Sequence, residues 1–216
     1  MTQHPHPALQ VAAGDPEIPM PAQPALRVVQ ETDGIDLAAA ERAAGEFLQA
    51  LGISTGTESL RGTPGRMARA YAELFSPRPF DLTTFPNDEG YDELVLARSI
   101  PVRSVCEHHL LPFVGTAHVG YLPGQRILGL SKLARVVEYF ACRPQVQERL
   151  TKQVADWLQT QLEPKGVGVV IEAEHTCMTL RGVQATGSST LTSTLLGTLR
   201  SDARSRSEFL ALAGLT

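Results

Sequence analysis

Hydrophobic positions recur along this chain with two different periods. From Ile35 to Leu51 the Ala-rich run IDLAAAERAAGEFLQAL favours a helix, with Gly52 as its stop. A second helix is predicted over TPGRMARAYAELF, where Thr63 suits the N-cap, Pro64 the first turn, and Met67, Tyr71 and Leu74 form one stripe. A loop carrying Pro, Asp and Gly follows around residues 77–90, and beyond it the period shortens. ELVLARSIPVRSVC and FVGTAHVGYL hold β-branched and aromatic residues at strand spacing, joined through the residues CEHH. Pro123 and Gly124 mark a turn. The helical period then returns. Leu133, Val136, Val137 and Phe140 share a face, and after Pro144 so do Val146, Leu150, Val154, Leu158 and Leu162. GVGVVIEAEHTCMTL reads as a strand, and a short helix closes the chain near RSEFLALAG. Helices, strand pair, helix pair, strand pair, helix: this order predicts an α+β domain behind an N-terminal helical segment.

Composition adds boundaries and exclusions. Six of the fifteen prolines fall in residues 1–24, so residues 1–34 are expected to be a disordered Pro-rich tail, with His4 and His6 solvated and idle. Residues 35–76 then form the helical segment and 77–216 the α+β domain. A net charge of −4 gives no global basic field, so a nucleic-acid partner is not expected and any polyanion must be held by a local cluster. No apolar run approaches the roughly 20 residues that span a bilayer, and no membrane partner is expected. Three cysteines with no secretory signal pattern point to a reducing compartment, the cytoplasm.

Candidate chemistry gathers at two places. Cys106, Glu107, His108 and His109 put a thiol, a carboxylate and two imidazoles in four consecutive positions, and Cys106 with His109 makes a C-x-x-H half-site. About seventy residues later, His175 and Cys177 lie two apart on a predicted strand, where alternate side chains share a face. Brought together, Cys106, His109 and Cys177 supply three ligands of the kind zinc accepts, leaving one position open, while His108 and His175 stay free to move protons. Other readings stand beside this one: buried structural thiols, a Cys106–Cys177 disulfide that the compartment disfavours, or a closed structural zinc site. His118 is expected to be a strand residue, and Cys142 structural.

SVCEHHLLPF, GLSKLARVVEYF, RPQVQERLT and EHTCMTLRGV, in this order, resemble the zinc-dependent GTP cyclohydrolase I family, and TPGRMARAY resembles its T-P-x-R helix start. The likeness runs from about residue 36 to the C-terminus. It implies the tunnelling fold, an antiparallel sheet with a helix pair on one face, assembled into a homodecamer of two pentamers with active sites at subunit junctions. It implies hydrolysis of GTP at C8 with release of formate, ribose rearrangement and closure to 7,8-dihydroneopterin triphosphate. By the same resemblance Zn2+ is held by Cys106, His109 and Cys177, and His108 and His175 assist proton transfers. Glu148, with Gln147 beside it, reads the guanine edge. Ser131, Lys132, Arg135 and Arg181 hold the triphosphate, with Arg66 and Arg69 near it.

The chemistry of these residue types agrees. Zinc brings the pKa of water to about 7, and protonation of N7, here assigned to His175, makes C8 electrophilic. A carboxylate pairs with the N1–H and 2-amino donors of guanine as it cannot with adenine. Ser131 and Lys132 open a predicted helix, where backbone N–H groups already favour phosphate. The resemblance also separates this chain from tunnelling-fold relatives that bind zinc through three histidines or use an isolated cysteine, and from a non-catalytic binder, because both proton-transfer histidines are present.

Overall fold

The computed structural model describes the backbone of Leu26–Val28 and all of residues 34–215. Most of the expected tail, with His4 and His6, lies outside the described residues. Its described strand, β1 (Leu26–Val28), pairs antiparallel with β2 (Phe80–Leu82).

Two helices come first. In α1 (Leu37–Ala50) the Asp36 carboxylate caps the Ala39 N–H at 2.9 Å, and Gly52 leaves the helix with a positive φ. In α2 (Thr63–Leu74) the cap is Gly62, not Thr63 as the sequence suggested. The preceding turn passes directly into the helix, with the Thr63 N–H on the Leu60 carbonyl, and the Thr63 hydroxyl accepts instead from Arg66 at 2.7 Å.

The main sheet follows. β3 (Thr84–Pro86) pairs with the later β6 (Arg126–Leu128) outside it. β4 (Val95–Cys106) and β5 (Pro112–Leu122) are antiparallel, with a register shift between Ala97 and Ile100 where Ser99 takes a positive φ. α3 (Leu130–Ala141), β7 (Pro144–Gln145) and α4 (Gln147–Leu162) form the helix pair with a two-residue strand between them. β8 (Gly166–His175) then pairs with β5, the single turn α5 (Thr176–Thr179) follows, and β9 (Thr190–Gly197) closes the sheet against β8. α6 (Thr198–Ser201) and α7 (Ala203–Ala213) end the chain. The sheet order is β7-β4-β5-β8-β9.

Strand alternation sorts the two faces. Phe113, Ala117, Val119 and Tyr121 of β5, with Val167, Val169, Ile171 and Ala173 of β8, are buried in one core with Leu133, Val136 and Val137 of α3 and Leu150, Val154 and Leu158 of α4. Both periodic stripes read from the sequence face this sheet. On the opposite face Val170 packs with Leu199 and Phe209. A side chain at Gly168 would bring its Cβ within 2.8–2.9 Å of the Phe209 ring, so that glycine is the space the ring needs.

Register fixes what meets at one end of the sheet. Phe113 lies opposite His175, Val105 and Cys106 lie beside Pro144 and Gln145, and Ala173 lies opposite Thr190. The end of β4, the start of β5, the end of β8 and the start of α4 are therefore neighbours. Three stretches of chain, around residues 105–113, 144–148 and 173–177, thus deliver their side chains to one place.

Candidate active site

The link from β4 to β5 is a tight turn. The Leu110 N–H donates to the Cys106 carbonyl and the Cys106 N–H to the Leu111 carbonyl, both at 2.8 Å. Closing it puts Leu110, which is not a glycine, at φ 51, in the left-handed region. From α2 the Tyr71 hydroxyl donates to the Leu110 carbonyl at 3.0 Å. Cys106 is thereby buried while His108 and His109 face outward.

Cys177 arrives differently from the sequence expectation. The strand stops at His175, and Cys177 sits on α5. The β5 partner ends at Pro112, whose carbonyl accepts the Thr176 hydroxyl at 2.5 Å, so the ladder has nothing left to pair with and the chain coils. One helical turn still delivers the thiol to the pocket. The ligand atoms of Cys106, His109 and Cys177 all lie within 4.8 Å of one another. Cys106 Sγ is 3.9 Å from His109 Nδ1 and equally 3.9 Å from His108 Nδ1.

These residues fit a metal ion. Tetrahedral zinc with its usual bond lengths separates its sulfur and nitrogen ligands by about 3.6–3.8 Å, close to the spacing found. Burial, and then the neighbouring Cys106 thiol, push the Cys177 thiol up from its ordinary value. A cation between the two sulfurs reverses that penalty.

His175 is fixed on two sides. Its ring stacks on Phe113 with centroids 4.5 Å apart and planes 13° apart, and its Nε2 lies 2.7 Å from Gln147 Oε1. Burial holds the imidazole below its ordinary value, with the Glu148 carboxylate acting in the opposite direction. Gln147 is buried at 2% exposure, whereas Glu148 stands exposed in the first turn of α4. A cavity of about 230 Å³ is lined by Cys106, His108, His109, Glu148, His175 and Cys177, with Gln147 in its wall.

Several bracing contacts were not anticipated from the sequence. Glu107 forms an ion pair with Arg149, whose Nε donates to Gln145 Oε1 at 3.0 Å, and the Glu107 N–H donates to the Gln145 carbonyl at 3.0 Å. Arg149 and Gln145 both lie in RPQVQERLT, but only the parallel pairing of β7 with β4 brings that segment to the CEHH turn. His118 is a strand residue as expected. Burial and the nearby Arg98 hold it below its ordinary value, and its Nδ1 is buried without a hydrogen-bond partner among the described residues. Cys142 is a half-buried free thiol that burial pushes up.

The remaining expected contacts do not line this cavity in a single chain. Ser131 and Lys132 open α3, while the other end of that helix is the one near the site: the Ala141 carbonyl accepts from the Ser104 hydroxyl at 2.7 Å, two residues before Cys106. Twelve residues of helix put about 18 Å between those ends. Arg135 bonds Glu138 at 3.2 Å, and Arg78 grips the same carboxylate at 2.6 and 2.7 Å. Arg66 and Arg69 are exposed on α2, where Arg66 donates to the Ser59 carbonyl at 2.9 Å, and Arg181 is exposed just after α5.

Two thiols and an imidazole close enough to hold a metal ion, with two further histidines beside them, lie at the end of the sheet of an α+β protein whose helix pair covers one face. The family model described as GTP cyclohydrolase I matches residues 40–214. GTP cyclohydrolase 1 of Aquifex aeolicus is 52% identical over 77% of this chain and 90% of its own length. That of Mycobacteroides abscessus is 54% identical over 82% of this chain and 89% of its own, and that of Streptomyces avermitilis 54% over 80% and 88%. The chain belongs to the GTP cyclohydrolase I family, and its fold is the tunnelling fold that the sequence resemblance implied. The crystal structure of the archaeosine synthase QueF-Like in the apo form matches with a TM-score of 0.41 and 17% identity over 48% of this chain and 93% of that one, too loosely to bear on the reading. Among the described residues no helix is long and apolar enough to cross a membrane.

Proposed function

We propose that this chain is a zinc-dependent GTP cyclohydrolase I, converting GTP to formate and 7,8-dihydroneopterin triphosphate at the Cys106–His109–Cys177 cavity. One observation carries the reading: in a member of this family, the three ligand atoms within 4.8 Å of one another share a cavity with His108, His175 and Glu148. When bound there, zinc supplies Lewis-acid activation of water near neutral pH. His175, stacked and hydrogen-bonded, presents a proton to N7 of the guanine, and His108 serves the ring-opening and ribose steps from the exposed side of the turn. Glu148, at the rim, accepts from guanine N1–H and its 2-amino group.

Ser131, Lys132, Arg135, Arg181, Arg66 and Arg69 are proposed to hold the triphosphate in an assembly of ten chains with active sites at subunit junctions. The placement of Ser131 and Lys132 at the far end of α3 supports this, because a neighbouring copy can offer them to a cavity their own chain cannot reach. So do the sheet edges: among the described residues β4 has a strand partner beyond β5 only at Val105 and Cys106, and β9 pairs on one side alone. Unpaired edges of this kind invite pairing with another chain. Residues 77–216 would then be the catalytic domain, 35–76 its helical extension and 1–34 a tail, working in the cytoplasm. Incubation with GTP, following pteridine fluorescence and formate with and without a chelator, tests the reading. Formate release abolished by the chelator and restored by zinc is expected; no formate from metal-replete protein would overturn it.

A further inference from the structure

The geometry points to Gln147 as a positioning residue that fixes which nitrogen of His175 handles protons, rather than as a contact to the guanine. This rests on the cyclohydrolase reading above.

What the Gln147 amide can still bind is limited by the groups already around it. Its Nε2 faces three acceptors: the Ile171 carbonyl at 3.0 Å, the Thr190 carbonyl at 2.9 Å and Thr192 Oγ1 at 3.1 Å. An amide nitrogen carries two hydrogens, so this end has no donor to spare. The orientation is also determined. Turning the amide over would set its oxygen against two backbone carbonyl oxygens, neither of which can donate. The atom facing His175 is therefore the oxygen, at 2.7 Å from Nε2. An oxygen acceptor there requires that Nε2 carry the hydrogen. In the neutral ring the bare lone pair is then on Nδ1, and proton traffic passes through Nδ1 alone.

The ring cannot escape by flipping. It lies flat against Phe113, 4.5 Å between centroids, and rotation about its Cβ–Cγ bond would break the bond to Gln147. Gln147 itself is held from behind. Thr151 Oγ1 donates to the Gln147 carbonyl at 2.8 Å and lies 2.6 Å from Thr192 Oγ1, closing a network across α4, β8 and β9. With 2% of its surface exposed, Gln147 offers the substrate almost nothing. Its neighbour Glu148, exposed at the rim, keeps the guanine.

The test compares Gln147→Met, which keeps length and loses the amide, in the zinc-loaded enzyme and in a His175→Ala background. Gln147→Met is expected to keep its zinc and its KM for GTP while kcat for formate release falls about 10- to 100-fold, the usual cost of losing an orienting partner. Added to His175→Ala, it should cost less than about twofold more, because the interaction is already gone. A KM rising in step with the loss would make Gln147 a guanine contact. A full further loss in the His175→Ala background would make it a structural residue. Either result overturns the inference, as does an unchanged kcat. Should Gln147→Met fail to assemble, the ring-nitrogen 15N spectrum of the unmutated holoenzyme decides, with the His175 signals assigned by their loss in His175→Ala. A hydrogen on Nε2 is expected, and a hydrogen on Nδ1 with Nε2 bare overturns the inference. Wild-type enzyme that releases no formate would count against the cyclohydrolase reading and leave the spectrum to judge the tautomer.

Discussion

The Tyr71 hydroxyl and the Leu110 carbonyl, 39 residues apart, are joined by a 3.0 Å hydrogen bond. It ties α2 to the one residue of the CEHH turn that takes a positive φ. A leucine in that conformation costs free energy that its surroundings must offset, and the tyrosine supplies part of the restraint. Tyr71→Phe removes about 1 kcal/mol of hydrogen bond and loosens the turn that carries His108 and His109. Metal affinity, read by competition with a chromophoric chelator, should fall several-fold, within the 10- to 100-fold ceiling typical of outer partners. Unchanged affinity would mean that the turn holds itself.

Cys177→Ser should lose bound metal and formate release together, because a serine hydroxyl is a poor replacement for a thiolate at a soft site. Metal content by elemental analysis and turnover on the same sample decide it. Full metal with normal turnover would remove Cys177 from the ligand set.

Glu148→Ala should weaken GTP far more than inosine triphosphate, which lacks the 2-amino group that the carboxylate would accept. Loss of a charge-assisted pair is worth about 1.5–3 kcal/mol, or roughly 10- to 150-fold in affinity. Equal losses for both nucleotides would show that Glu148 does not read the base.

Glu138 gives a pH prediction. Its hydrogen bonds to Arg78 hold it below the ordinary carboxylate range, with Arg135 adding to the effect against an opposing contribution from burial. A depressed carboxylate contributes stability that is present above its unfolded pKa and lost as pH falls through its folded one. Acidification below the ordinary glutamate range should therefore lower the melting temperature more steeply in the native chain than in Glu138→Gln. The Arg78 partner is largely exposed, so the difference should be small and shrink with salt. Parallel curves would show that the pair does not contribute.

Gly168→Ala should destabilise the protein, because its Cβ would meet the Phe209 ring at 2.8–2.9 Å. Overpacking of this kind costs about 1–3 kcal/mol, visible as a lowered melting temperature. The site lies on the other side of the sheet's end, so zinc content should be retained. A melting temperature at or above the native one would mean that α7 shifts freely.

Much of this was readable in the residues. Leu150, Val154, Leu158 and Leu162 were placed on one helix face because helical periodicity is local, and all four are buried. The residue types of Cys106, His109 and Cys177 offered them as one ligand set beside the alternatives of structural thiols or a disulfide, and the family resemblance favoured it. What escaped depends on partners far away in sequence. Whether Cys177 lies on a strand is decided by where β5 stops, at Pro112. Whether Thr63 caps α2 is decided by the turn before it. The Gln147 amide could not be assigned until Ile171, Thr190 and Thr192 stood around it.

α3 separates Ser131 and Lys132, proposed above to hold the triphosphate, from the end of the helix that lies beside the Cys106 strand, and under the proposed assembly that arrangement has a genetic consequence. On that proposal, two inactive alleles, one altered at Cys177 and one at Lys132, would rescue each other when co-expressed, because some junctions of a mixed assembly would unite the intact half of each.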